Sequence, residues 1–210
     1  MQQVRIYPLT DHKYLFGRSH SERITEIIEG GAGIVQLRDK ESPMDYLLSE
    51  SLTIRNITRK KDVLFIVNDR VDLALMSDAD GVHLGQDDIP VEYARGILGD
   101  SAIIGLSTHS VEQIQRALTT SADYIAFGPI YHTGTKDNPD PVQGLPILNE
   151  IVAIVDRPLF AIGGINLLNI NEVLQYGVTG AAVIADIFSF PDATDRMKKY
   201  LEQISQIKQN

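Results

Sequence analysis

The chain has 210 residues, 43% of them hydrophobic, which suits one domain with a sizeable core over residues 1–210. A formal net charge of −9 argues against a nucleic-acid partner, which needs clustered Lys and Arg, but leaves room for small anions held by a few cations in a cleft. The lack of Cys removes disulfides, thiolate catalysis and Cys-ligated zinc, and no signal segment or long apolar span is visible, so a cytoplasmic protein without membrane contact is expected.

Short, continuously apolar, β-branched runs alternate with longer helix-like segments, the pattern of repeated β-α units around a parallel sheet. In chain order, VRIYPL near residue 4 precedes the helix SERITEIIEGG, and IVQLR from Ile34 precedes PMDYLLSESLTIRNI. LFIVN from Leu64 follows, then GVHLG from Gly81 with the helix VEYARGILG, and AIIGLS from Ala102 with SVEQIQRALTT. YIAFGP from Tyr124 leads to LPILNEIVAIV, LFAIGG from Leu159 to LLNINEVLQYG, and AAVIA from Ala181 to ATDRMKKYLEQISQI. Ser110 with Gln113 fits a capping box, and Gly30, Gly99 and Gly177 stand where helices should stop. Eight such units, with no G-x-G-x-x-G turn after the first strand, predict an α/β fold that closes as a single (β/α)₈ TIM barrel rather than an open doubly wound sheet. Polar residues fall just after strands two to eight, and in a barrel those ends converge on one mouth.

The second strand runs into Gln36-Leu37-Arg38-Asp39-Lys40, where alternation sends Gln36, Arg38 and Lys40 to one side. Facing the interior, these cations need an anionic partner such as a diphosphate; beyond the strand end they are ordinary surface charges. Asn68-Asp69-Arg70 and Gly85-Gln86-Asp87-Asp88 close strands three and four, so Asp69 and Asp88 either share one magnesium ion or each cap a helix. After strand five, Ser107 offers a hydroxyl to a ligand, while His109, like His83, reads as a hydrogen-bonded structural histidine before a proton carrier. Thr133, Gly134, Thr135 and Lys136 after strand six form either a phosphate cradle or a surface loop, and as a lid the loop would be both. Gly163-Gly164 and Ile184-Ala185 end strands seven and eight, where barrels commonly hold phosphate on backbone N–H groups, although a Gly pair is also a plain tight turn.

Read together, QLRDK, VNDRVDLAL, DGVHLGQDD, IGLSTHS, DYIAFGPIYHTGTK and FAIGGI occur in an order, and with a coverage of nearly the whole chain, that closely resembles thiamine phosphate synthase. The resemblance implies a transferase that joins a hydroxymethylpyrimidine diphosphate to a thiazole phosphate alcohol with release of pyrophosphate. It assigns Gln36, Arg38, Lys40, Asn68, Ser107 and Lys136 to the pyrimidine diphosphate, with Arg38, Lys40 and Lys136 neutralising the leaving group. Asp69 and Asp88 would hold Mg²⁺, and Thr133, Thr135, Gly164 and the backbone at Ile184 and Ala185 would face the thiazole phosphate. The chain departs from the pattern after strand eight, where Ala185 and Asp186 stand in place of a common Ser. Two other readings stay open at this point: a thiazole tautomerase-like isomerase and a non-catalytic module for phosphorylated ligands. The expected partners are small phosphorylated molecules, and homo-oligomerisation is left open.

Overall fold

The computed structural model describes residues 5–135 and 140–207. Eight parallel strands, β1 (Ile6–Pro8), β2 (Ile34–Leu37), β3 (Leu64–Asn68), β4 (Gly81–Leu84), β5 (Ile103–Thr108), β6 (Tyr124–Phe127), β7 (Leu159–Ile162) and β8 (Gly180–Val183), lie in the order 1-8-7-6-5-4-3-2. The ladder is continuous from β2 round to β1, and a single parallel bridge, Leu9 to Gln36, joins its two ends and closes a TIM barrel. The N–H of Thr10 reinforces the seam, donating to the Gln36 carbonyl at 3.0 Å.

Around the sheet run α1 (His20–Glu29), α2 (Met44–Lys61), α3 (Val71–Met76), α4 (Val91–Leu98), α5 (Val111–Ala117), α6 (Gly144–Ile154), α7 (Ile170–Gln175), α8 (Ala185–Phe188) and α9 (Ala193–Ile207). Their apolar faces and the outward strand residues, such as Val35, Leu37, Phe65, Val67, Ile104 and Ile125, form the larger core. Inside the barrel a smaller core of Tyr7, Leu9, Ile34, Ile66, Tyr124, Phe160 and Ala182 fills the floor. The rings of Tyr7 and Tyr124 meet Phe160 edge-on, with centroids 5.5 and 5.6 Å away. The interior is packed, so ligands have only the mouth.

The ends of the helices differ in places from expectation. Ser110 caps α5 through the Gln113 N–H at 3.3 Å, but the Gln113 carboxamide oxygen accepts from His109 N–H, so that box is only half made. The complete capping box lies at α1, between Ser19 and Glu22. Gly99 and Gly177 take positive φ at the ends of α4 and α7, where glycine is favoured as a helix stop. Gly30 is needed for a different reason: it keeps right-handed dihedrals, and a Cβ there would lie 2.6 Å from Met197 Cβ of α9.

Arg23 of α1 is wholly buried and spends its guanidinium on the far end of α8. It donates to the carbonyls of Phe188 and Phe190, each at 2.9 Å, and of Pro191 at 3.1 Å, and pairs with Glu26 at 2.6 Å. This clamp fixes α8 beneath the mouth. Arg23→Met leaves these carbonyls without their donor and is expected to cost about 3 kcal/mol. A urea midpoint that falls with an unchanged m-value checks this; an unchanged midpoint refutes it.

Candidate active site

The rim is built from strand ends that leave polar side chains no apolar neighbour to hide against. Gln36 points into the barrel and is 1% exposed, donating from Nε2 to the Tyr7 hydroxyl at 2.6 Å. Because β2 ends at Leu37, the pleat governs Gln36 but not the residues after it, and Arg38 and Lys40 do not face one ligand side by side from a strand. Arg38 instead pairs with the carboxylate of Asp11, whose other oxygen accepts the Lys13 N–H. Lys40 lies in the loop, its side chain 57% exposed, with its ammonium 2.8 Å from Asp69.

Asp39, between them, is turned away from the mouth. Its side chain is fully buried, accepting from His20 Nε2 at 2.8 Å and from the N–H groups of Glu41 and Ser42 at 2.8 and 3.0 Å. Burial alone would push its carboxyl up, but the hydrogen bonds from Ser42, His20 and the loop backbone outweigh it and hold the carboxyl well below the usual range. The other ring nitrogen of His20 meets Thr10 Oγ1 at 3.1 Å, and that oxygen accepts the Arg38 N–H at 3.2 Å. One buried network thus ties the rim loop to the barrel seam.

Asn68 closes β3 in a tight turn in which Arg70 N–H donates back to its carbonyl at 2.7 Å. Asp69 sits at a φ of 61°, a left-handed conformation uncommon for a non-glycine residue, held by its N–H donating to the His83 carbonyl at 2.8 Å. Asp88 reaches the same place from the next loop and accepts Gly85 N–H at 2.7 Å. Its carboxyl is raised, first by burial and then by the negative Asp69 beside it, against the lowering effect of Gly85 N–H. Ser107 Oγ lies 2.8 Å from His83 Nε2, and the Gln86 carboxamide donates to the Ser107 carbonyl at 2.7 Å.

Loops six and seven form the opposite wall. Beyond a cis Gly128–Pro129 bond, the N–H groups of Ile130 and Tyr131 donate to Ile162 and Gly163 at 2.9 and 3.0 Å, so the loop continues along β7. Gly163 and Gly164 have positive φ, and a Cβ on either would collide with loop six, at Pro129 for the first and at Tyr131 and the His132 carbonyl for the second. The pair serves close loop-to-loop contact as well as turning the chain. Thr135 is buried, and its N–H donates to Thr133 Oγ1 at 3.3 Å.

A thiamine monophosphate synthase family model matches residues 6–187. The chain belongs to this family. It is 44% identical over 204 residues to a thiamine-phosphate synthase of Methanocella arvoryzae, covering 97% of this chain and 96% of that one. With a thiamine-phosphate synthase of Pelotomaculum thermopropionicum it shares 45% identity over 197 residues, 93% of this chain and 90% of the relative. The solved thiamine phosphate pyrophosphorylase from Pyrococcus furiosus superposes with a TM-score of 0.89 at 37% identity, covering 98% of each chain.

Within this thiamine monophosphate synthase fold, Gln36, Arg38, Lys40, Asn68, Asp69, Asp88 and Ser107 all stand at the strand ends and loops of β2 to β5, with Arg38 engaged by Asp11. Gly164 meets the segment that leads into Thr133, while Ile184 and Ala185 open α8. Lys136 lies outside the described residues. The Asp186 carboxylate is held by α9: Arg196 binds its two oxygens at 2.7 and 2.8 Å, and the Tyr200 hydroxyl donates to it. His109 spends Nδ1 on the Gly128 carbonyl at 2.6 Å, tying loop five to loop six. Sequence reasoning passes over Asp11, Tyr7 and Tyr124, although a tyrosine inside an otherwise apolar strand signals a buried hydroxyl in need of a partner. Among the described residues, no cluster of three or more His, Cys, Asp or Glu could hold a metal ion, and no helix is long and apolar enough to cross a membrane.

Because the Asp39 carboxyl is lowered on folding, its contribution to stability is present above its ordinary value of 3.8 and is lost as pH falls below that toward the folded value. Asp39→Asn should therefore unfold at lower urea than the parent at pH 7, and the gap should narrow as the solution is acidified below 3.8. A gap that widens on acidification would contradict the assignment.

Proposed function

We propose that the chain joins 4-amino-5-hydroxymethyl-2-methylpyrimidine diphosphate to 4-methyl-5-hydroxyethylthiazole phosphate, giving thiamine phosphate and pyrophosphate, on one domain spanning residues 1–210. The observation that carries this reading is the cluster at loops two to four, where the Lys40 ammonium lies 2.8 Å from Asp69 and Asp88 stands beside that carboxylate. Two crowded carboxylates are hard oxygen donors whose mutual repulsion a divalent cation relieves. This donor set fits Mg²⁺, completed by phosphate oxygens and water. Bound magnesium would supply charge neutralisation on the departing diphosphate.

The chain's own residues do the rest. Arg38 and Lys40, leaning on Asp11 and Asp69 in the free protein, exchange part of that pairing for diphosphate oxygens, and the family resemblance assigns Lys136, outside the described residues, to the same task. Gln36, Asn68 and Ser107 orient the pyrimidine. Thr133, Thr135, Gly164 and the backbone at Ile184 and Ala185 hold the thiazole phosphate, and the Arg196 pairing keeps the charge of Asp186 out of that subsite. The bond from the pyrimidine methylene to the diphosphate oxygen breaks with its electron pair on oxygen, and the thiazole nitrogen lone pair closes the new C–N bond. No covalent nucleophile is required; holding the two reactants in line and neutralising the leaving group supply the rate.

A pyrophosphate-release assay with both substrates, with and without Mg²⁺, tests the proposal. Asp69→Ala and Lys136→Ala are each expected to lower kcat by about a hundredfold or more. Full activity in both variants sinks the mechanism, and thiazole phosphate binding without any pyrophosphate release points to a binding module instead.

A further inference from the structure

A file of buried hydrogen bonds crosses the barrel floor from one rim residue to another. Gln36 Nε2 donates to the Tyr7 hydroxyl at 2.6 Å, and the hydroxyls of Tyr7 and Tyr124 lie 3.0 Å apart. The Tyr124 hydroxyl is 2.9 Å from His83 Nδ1, and His83 Nε2 is 2.8 Å from Ser107 Oγ. Gly105 keeps the middle of this file open, because a Cβ there would collide with both the Tyr124 hydroxyl and His83 Nδ1.

Counting hydrogens gives the file a direction. Each phenol has one hydrogen, and burial pushes both Tyr7 and Tyr124 far above the ordinary range, so both stay protonated. With Gln36 donating to Tyr7, the Tyr7 hydrogen passes to Tyr124 and the Tyr124 hydrogen to His83 Nδ1. His83 then carries its hydrogen on Nε2 and gives it to Ser107 Oγ. The Ser107 hydrogen is left to point elsewhere, a donor at the mouth, while Gln36 Oε1 is a buried acceptor with no partner among the described residues. Turning the Gln36 carboxamide over would reverse every link and make Ser107 spend its hydrogen on His83.

We propose that His83 is a positioning residue which, through Tyr124 and Tyr7 on one side and Ser107 on the other, fixes Gln36 as an acceptor and Ser107 as a donor and so selects the substrate by its hydrogen-bond pattern. The inference rests on the proposed activity for the identity of that substrate. An aminopyrimidine diphosphate meets the pattern, because its amino group donates and its ring nitrogens and phosphate oxygens accept. A ring with hydrogen in place of the amino group leaves Gln36 Oε1 orphaned, and a site with an orphaned buried group rejects its ligand.

Two measurements test this. Nitrogen-15 NMR of the histidine-labelled free protein should show His83 neutral with its hydrogen on Nε2, and Tyr124→Phe should mix the two tautomers. In kinetics, the wild type should prefer the amino substrate to its deamino analogue in kcat/KM, and Tyr124→Phe should shrink that preference by about tenfold, the worth of one hydrogen bond of ordinary strength. Tyr7→Phe should act in the same direction and serves if Tyr124→Phe does not fold. His83→Gln, which keeps an N–H for Ser107, should retain more of the preference than His83→Leu. A hydrogen on Nδ1 in the wild type, or an unchanged preference in both tyrosine variants, overturns the inference. Because the tautomer is read on the free protein, it decides the matter even if the wild type releases no pyrophosphate, an outcome that would overturn only the proposed activity.

Discussion

The meeting of β1 with β2 is the constraint on which the other features hang. Seven strand pairings run round the sheet as regular ladders, but among the described residues the backbone pairing at the seam is the Leu9 to Gln36 bridge and the Thr10 N–H on the Gln36 carbonyl. A barrel left open there would expose two long edges and lose its single mouth. Side chains make up the shortfall: Asp39, His20 and Thr10 link the loop after β2 to the residues after β1 through buried hydrogen bonds. A slip of one residue at this seam would turn Gln36 out and Leu37 in, trading the end of the internal file for an apolar plug. Closure and rim chemistry are therefore set by the same few atoms.

That coupling explains how much of the molecule can be read from the sequence. Strands buried on both faces must be apolar throughout, so all eight appear as apolar runs; LFIVN matches β3 at both ends, and the others are misplaced by one or two residues at an end, including the starts of β1, β5 and β8. Seven helices show their period or their stops, α7 among them with six residues, whereas α3, also of six, and α8, of four, are not read from the sequence. Among site residues, those carried by strand ends are legible as polar breaks in apolar runs. What is not legible is partnership across the barrel. Nothing near Arg38 in the sequence announces Asp11 as its partner, and His83 looks like a lone polar residue because Tyr124 and Ser107, which satisfy it, come from other strands.

The rim also shows where stability has been given up. Asp69 holds a left-handed backbone, Asp88 keeps a carboxyl against another carboxyl, and Gln36 Oε1 is buried without a partner among the described residues. Each costs folding energy, and the three lie together at the mouth, although Phe16, Asp62 and Asp78 also hold positive φ and Arg23 Nε, Ser51 Oγ, Arg55 Nε and Asn171 Oδ1 are also buried without a partner among the described residues. At the opposite end of the barrel, ion pairs such as Arg55 with Asp80 and Arg95 with Asp123 fasten the connections entering β3 to β6. One end of the barrel is built to hold and the other to receive.

The lock of Asp186 onto Arg196 and Tyr200 has a consequence for how the protein is made. The carboxylate beside the start of α8 is satisfied only by side chains from α9, and α9 in turn packs on Gly30 of α1. During synthesis α1 and α9 are far apart in the chain, so the Asp186 pairing and the contact at Gly30 cannot form until α9 has left the ribosome. Assembly of the mouth is thus a late, long-range event. A nascent chain halted before residue 193 would carry every residue of loops two to five yet still have an unanswered charge where the last loop should settle.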